Sequence, residues 1–147
     1  MRAHRYAFGS LVCIVLACSS ERFLAPRLAT VDGTPLRAQA SLIRDFMPAV
    51  PPGGPPLTAG IRIQTADNST IPAIVTADSA WLYNGSHVWG TAVVEERPRS
   101  GSYFDLVARG GPTWEPGTEV DVVVRLRDGA GHSFVLQAPR QRIARID

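Results

Sequence analysis

Cysteine is confined to the first eighteen residues of this chain, and lysine is missing altogether. Residues 19 to 147 hold no thiol, which excludes a disulfide framework, a thiolate metal site and a cysteine nucleophile there. All fifteen basic residues are arginine. Arg2 and Arg5 precede the first apolar run; without them, thirteen arginines face thirteen acids. That balance argues against a globally basic, nucleic-acid-binding surface. Histidine is scarce as well, with only His87 and His132 beyond the N-terminal segment. No apolar run reaches the roughly 20 residues that a membrane-spanning helix needs, and no long segment has helical periodicity.

What remains is enough for a folded core. Apolar residues make up 45% of the chain and charged residues 19%, a composition that excludes wholesale disorder. Twelve prolines and thirteen glycines fall between apolar runs, where turns of a β protein belong. The length allows one domain with a tail, or at most two very small domains.

The N-terminus reads as an address. "MRAHR" is positively charged, residues 6 to 17 are mostly apolar and uncharged, and Glu21 and Arg22 end the run. A charged start, a short apolar stretch and a small residue at its end make a secretory signal peptide. The closing residues Val15, Leu16, Ala17 and Cys18 resemble the lipobox of bacterial lipoproteins. The resemblance implies a lipoprotein signal peptide over residues 1–17, lipid on the sulfur of Cys18, and Cys18 as the mature N-terminus. It also implies export across the inner membrane and anchoring at the bacterial cell envelope, with Ser19 in the second position favouring the outer membrane. Ordinary cleavage, for example after Ser20 with Cys18 discarded, is the alternative. Two or more acyl chains hold a protein stably where one holds it weakly. Residues 18–40 show no sustained period and read as a lipidated tether, partly extended around Pro26 and Pro35.

Residues 41–147 read as an all-β domain. After the Pro/Gly loop "PAVPPGGPP", short alternating segments are broken by turn signals. "AGIRIQT" sets Ile61 and Ile63 on one face. "AWLYN" and "HVWGTAVVEE" flank the turn pair Asn84-Gly85. "SYFDLVAR" sets Phe104, Leu106 and Ala108 opposite Tyr103, Asp105 and Arg109. "EVDVVVRLR" directs Val120, Val122, Val124 and Leu126 inward and Glu119, Asp121, Arg125 and Arg127 outward. "DGAGH" turns the chain into "SFVLQA", and Pro139 is expected to break the last strand, which could then lie at a sheet edge open to a partner strand. About seven strands at this spacing predict a Greek-key β-sandwich. With Trp81 in a central strand and the long "EPGTEVDVVVRLRDGAGHSFVL" hairpin, the domain resembles immunoglobulin-like and fibronectin type III-like domains. That resemblance implies an architecture and little about function. Without disulfides, stability must come from burial, with Trp81 and the inward residues of "VDVVVRL" carrying much of it.

No catalytic constellation stands out. His87 and His132 sit in or beside turns, and two histidines fall short of a catalytic zinc set. Glu95 and Glu96 are adjacent, so on a strand they point to opposite faces and cannot flank one scissile bond. Glu119 and Asp121 share a face, but an outward one beside Arg125. Asn68 and Asn84 head Asn-X-Ser/Thr sequons that read as turn residues, and Asp128 belongs to a hairpin rather than a calcium loop. Two features are candidate binding surfaces. Arg125, Arg127, Arg140, Arg142 and Arg145 would share one region if the last two strands pair, which suits carboxylates or phosphates; a solvated face balanced by Glu119 and Asp121 is the competing account. Trp89 and Trp114 could stack on sugar rings, or plug the ends of the core. The expectation is a lipid-anchored, non-catalytic binding or structural module of the cell envelope, needing no cofactor or metal. Its partners are the membrane, through the lipid, and an envelope protein or anionic glycan. A carbohydrate-binding or adhesion module using Trp114, Trp89 and loops is the second reading, and an enzyme with an unrecognised site the third.

Overall fold

The computed structural model describes residues 25–147, so the signal peptide, Cys18 and the first part of the expected tether lie outside the described residues. The described residues form an all-β structure of nine strands: β1 (Ala29–Val31), β2 (Thr34–Asp45), β3 (Leu57–Thr65), β4 (Thr76–Asn84), β5 (His87–Ala92), β6 (Val94–Glu95), β7 (Tyr103–Gly111), β8 (Glu119–Arg127) and β9 (Ser133–Ile146). Hydrogen bonding runs in the order β5-β4-β8-β9-β2-β3-β7-β6, with β1 added to β2.

Two layers follow from this order, and both flanks are stitched. On one side β9 pairs antiparallel with β8 up to Arg142 and then parallel with β2 over Ile143–Ile146. On the other, the chain leaves β4 at the end of β5, turns through buried Val93 and joins β7 as β6. The result is a sandwich nearly closed into a barrel.

The inward faces obey period 2. β3 alternates without a fault: Leu57, Ala59, Ile61 and Ile63 are all at most 1% exposed. Val120, Val122, Val124 and Leu126 of β8 join them in one buried core from the other layer, together with Phe104 and Leu106 of β7, Leu82 of β4 and Leu136 of β9. A fully buried Leu, Ile or Phe contributes about 1.5–3 kcal/mol, so this row supplies the bulk of the stabilisation.

Three expectations need correction. Residues 29–40 are not tether. Asp32 and Gly33, with φ of 48° and 78°, form the two-residue turn of a hairpin pairing Val31 with Thr34, the geometry that Asp-Gly favours. β2 then pairs with β3 from Leu36 to Arg44, burying Leu36, Ala38 and Leu42, and Pro26 already accepts a bond from the Gln137 amide at 2.8 Å. Second, Trp81 is not a core residue. Its neighbours Ala80 and Leu82 are fully buried, so alternation turns Trp81 to the outer face, where it rests against Gly90 and under Arg125. Third, Pro139 does not end a strand or make an edge. It sits in a bulge, where Val122 faces Ala138 but Val120 faces Gln141; a proline without an N–H fits the unpaired position. β9 is flanked by β8 and β2.

Candidate functional site

The two tryptophans chosen from the sequence are occupied by packing. Trp89 points from β5 toward β7, and a Cβ added to Gly111 would lie 2.7 Å from its Cζ3. That glycine is the notch that admits the indole. Trp114 is half-buried against the core, and its carbonyl accepts from Arg44 at 3.1 Å. Both plug the sandwich.

The five arginines do not converge. Arg125 and Arg127 bind the two oxygens of Asp78 on β4, at 2.7 and 2.6 Å. Those bonds, Arg125 first, hold the Asp78 carboxyl down at about 2. At the other end of β8, Arg140 grips Asp121 with two bonds of 2.9 Å, and Arg142 binds Glu119 at 3.0 Å. Arg145 pairs with Asp147 and stacks on Phe46. Each guanidinium is therefore engaged by a carboxylate of the same chain. The adjacent Glu95 and Glu96 separate as alternation requires, to Arg99 and Arg109. The His132 ring lies 3.0 Å from Asp128 within the exposed 128–132 hairpin.

A groove of about 340 Å³ lies elsewhere, on the outer face of β2, β3 and β7. Register explains it. Ser41 faces Gly60, which faces Val107, and Gln39 faces Arg62, which faces Asp105. Gly60 puts no side chain in the middle of the first row, so the sheet surface dips there. Glu96 and Arg97, just after β6, form the far wall. Asp105 is locked to Arg62 by a forked pair at 2.7 and 2.9 Å, and Arg62 stacks on Tyr103 at 3.9 Å. The Arg62 bonds, helped by the nearby charge of Arg97, hold the Asp105 carboxyl below its ordinary value. A general acid needs the opposite shift, so Asp105 is suited to fixing geometry rather than giving up a proton. Arg97 is the one lining cation with no carboxylate at ion-pair distance among the described residues. With the Gln39 amide and the Ser41 hydroxyl it offers donors across a shallow, open cleft. Sequence reasoning missed this site because Gln39 fell in the supposed tether and Ser41 stood at its border, outside the strands read from the sequence. The signal available was the Ala38/Leu42 alternation and a lone glycine inside "AGIRIQT".

Buried Arg44, 4% exposed on β2, was missed too. Its Nε donates to the Pro55 carbonyl, and its Nη1 to those of Thr113 and Trp114. It ties two loops together at one end of the sandwich. Among the described residues, no group of three His, Cys, Asp or Glu is placed to hold a metal ion. No protein-family model, curated protein or solved structure matches the chain.

Proposed function

We propose that this chain is a lipid-anchored, non-catalytic binding module of the bacterial cell envelope, and that its polar groove takes an anionic glycan. The observation that carries the reading is Arg97, which faces the groove with no carboxylate at ion-pair distance among the described residues, while the arginines of β8 and β9 are all engaged. A guanidinium that makes no ion pair among the described residues, beside an amide and a hydroxyl, matches a sugar carboxylate or phosphate flanked by hydroxyl groups. The groove's shallow, polar character suits a polymer better than a small apolar ligand.

The anchoring part rests on "VLAC" ending at Cys18 after a short apolar run. If lipid is attached there, the described fold starts only a few residues later. Residues 19–24 reach about 20 Å fully extended, so the domain works close to the outer-membrane surface rather than at the end of a long tether. The immunoglobulin-like reading is supported by the strand order: β2-β3-β7-β6 facing β5-β4-β8-β9 corresponds to A-B-E-D facing C′-C-F-G.

An array of acidic and neutral glycans tests the proposal. Binding is expected to acidic members, weakened by salt and by Arg97→Ala. Retention on neutral glycans alone would refute it. Cell fractionation of Cys18→Ala tests the anchor separately, with release into the soluble fraction expected.

A further inference from the structure

The groove holds carboxylates as well as donors, and their placement narrows the kind of anion it accepts. Glu96 and Asp105 both line it, with side chains 40% and 20% exposed. The Glu96 amide donates to the Asp105 carbonyl at 3.0 Å, which continues the β6–β7 pairing and fixes Glu96 beside Asp105. Arg97 follows directly. Its charge bears on Asp105, yet the two make no ion pair. Arg62 makes one bond to each Asp105 oxygen, so each keeps a lone pair for another donor. Glu96 gives one oxygen to Arg109 at 2.6 Å, and its other oxygen meets no donor among the described residues. An ionised carboxylate only accepts hydrogen bonds, so a ligand must bring donors to both. The groove therefore asks for an acceptor at Arg97 and for donors right beside it.

We propose, on the footing that the groove takes an anionic glycan, that the anion is the carboxylate of a uronic acid rather than a sulfate or phosphate ester. A carboxylate is planar, and its two oxygens fill the fork of one guanidinium. The hydroxyls on the neighbouring ring carbons then donate to Asp105 and Glu96. An ester group is tetrahedral and presents three acceptor oxygens. Two can take the Arg97 fork, and the third turns toward carboxylates that have no hydrogen to give. Like charges set side by side in this way select against the wrong partner. Gln39 and Ser41, on the β2 side of Gly60, can donate or accept, so they receive the hydroxyls of a further ring in either role. From β2 to the end of β6 the groove crosses three interstrand steps of about 4.8 Å each. A ring seated at Arg97 thus leaves room for a second over the bare floor at Gly60.

Calorimetric titration of the protein with three trisaccharides tests this. They share one galactose backbone and carry a carboxylate, a sulfate or a phosphate at carbon 6 of each ring. The carboxylate form should bind about tenfold tighter than either ester, the effect of one charged acceptor left without a donor. Glu96→Gln places an amide donor where the acceptor stood, and should cut that preference to about threefold or less. Circular dichroism checks that this exposed-site variant is folded. Ester binding as tight as carboxylate binding overturns the inference and leaves an acidic-glycan groove standing. No binding of any of the three overturns that groove and the inference together. A carboxylate preference that Glu96→Gln leaves intact overturns the inference too, because the lining carboxylates then play no part in selection.

Discussion

Replacing Arg44 by methionine isolates what a buried guanidinium does at one end of the sandwich. The stem length is kept and the donors are removed. Three carbonyls lose their partner: Pro55 at 2.8 Å in a buried setting, and Thr113 and Trp114 at 3.2 and 3.1 Å in partly buried ones. Hydrogen bonds from a charged group contribute about 1.5–3 kcal/mol each, and a stranded buried acceptor costs about 1–3. Taking the guanidinium out of water opposes this by several kcal/mol, and water can reach the two outer carbonyls in the variant. The net expectation is a loss of about 3 kcal/mol. With a urea dependence of about 1.5 kcal/mol per molar, the unfolding midpoint should fall by about 2 M, read by tryptophan fluorescence since Trp114 sits on the clamped loop. Arg44→Lys should recover little of it, because one ammonium cannot span three carbonyls on two loops. A drop under about 0.5 M would refute the clamp.

Three further outcomes follow from single contacts. Leu82→Ala empties a fully buried site and should cost about 2–5 kcal/mol, whereas Trp81→Ala on the outer face should cost less despite removing a larger side chain; equal losses in chemical denaturation would contradict the assigned faces. Leu36→Ala, at a residue 0% exposed in what the sequence offered as tether, should destabilise by a similar 2–5 kcal/mol, and a neutral result would return β2 to the tether. Asp78 has its folded pKa depressed, so its contribution is present above the unfolded carboxylate value near 4 and is lost as pH falls from there through about 2. With the carboxylate about a third exposed, screening reduces the contribution to about 1 kcal/mol; Asp78→Asn should remove that part of the acid-side slope in pH-dependent unfolding.

Strands with large alternating residues were legible in the sequence, β8 and β3 above all, because valine and isoleucine at every second position leave one pairing face. β2 was not, since Ala38 and Ala40 give little apolar signal and Arg37 and Arg44 look like surface charge. The register continuing from Leu42 puts Arg44 inside, and only the carbonyls of two distant loops explain how it is tolerated there. Trp81 was misassigned by size: counting from Leu82 would have turned it outward. Glu119 and Asp121 were legible as balancing charges, but which arginine each takes, and the part played by Asp78, depend on strand pairing. Asp78 reaches Arg125 only when β4 lies beside β8, and Asp121 meets Arg140 only across the Pro139 bulge. The groove is likewise a product of register, with Gly60 between Ser41 and Val107.

The most direct test of the account is a calorimetric titration of the protein with an oligogalacturonate, beside a neutral cello-oligosaccharide of equal length. Binding to the acidic sugar alone is expected, weakening about tenfold in Arg97→Ala, the loss of one charge-assisted hydrogen bond, and unchanged in Arg142→Ala. Equal binding of both sugars, binding indifferent to Arg97, or no binding of the acidic sugar would contradict the assignment of the groove.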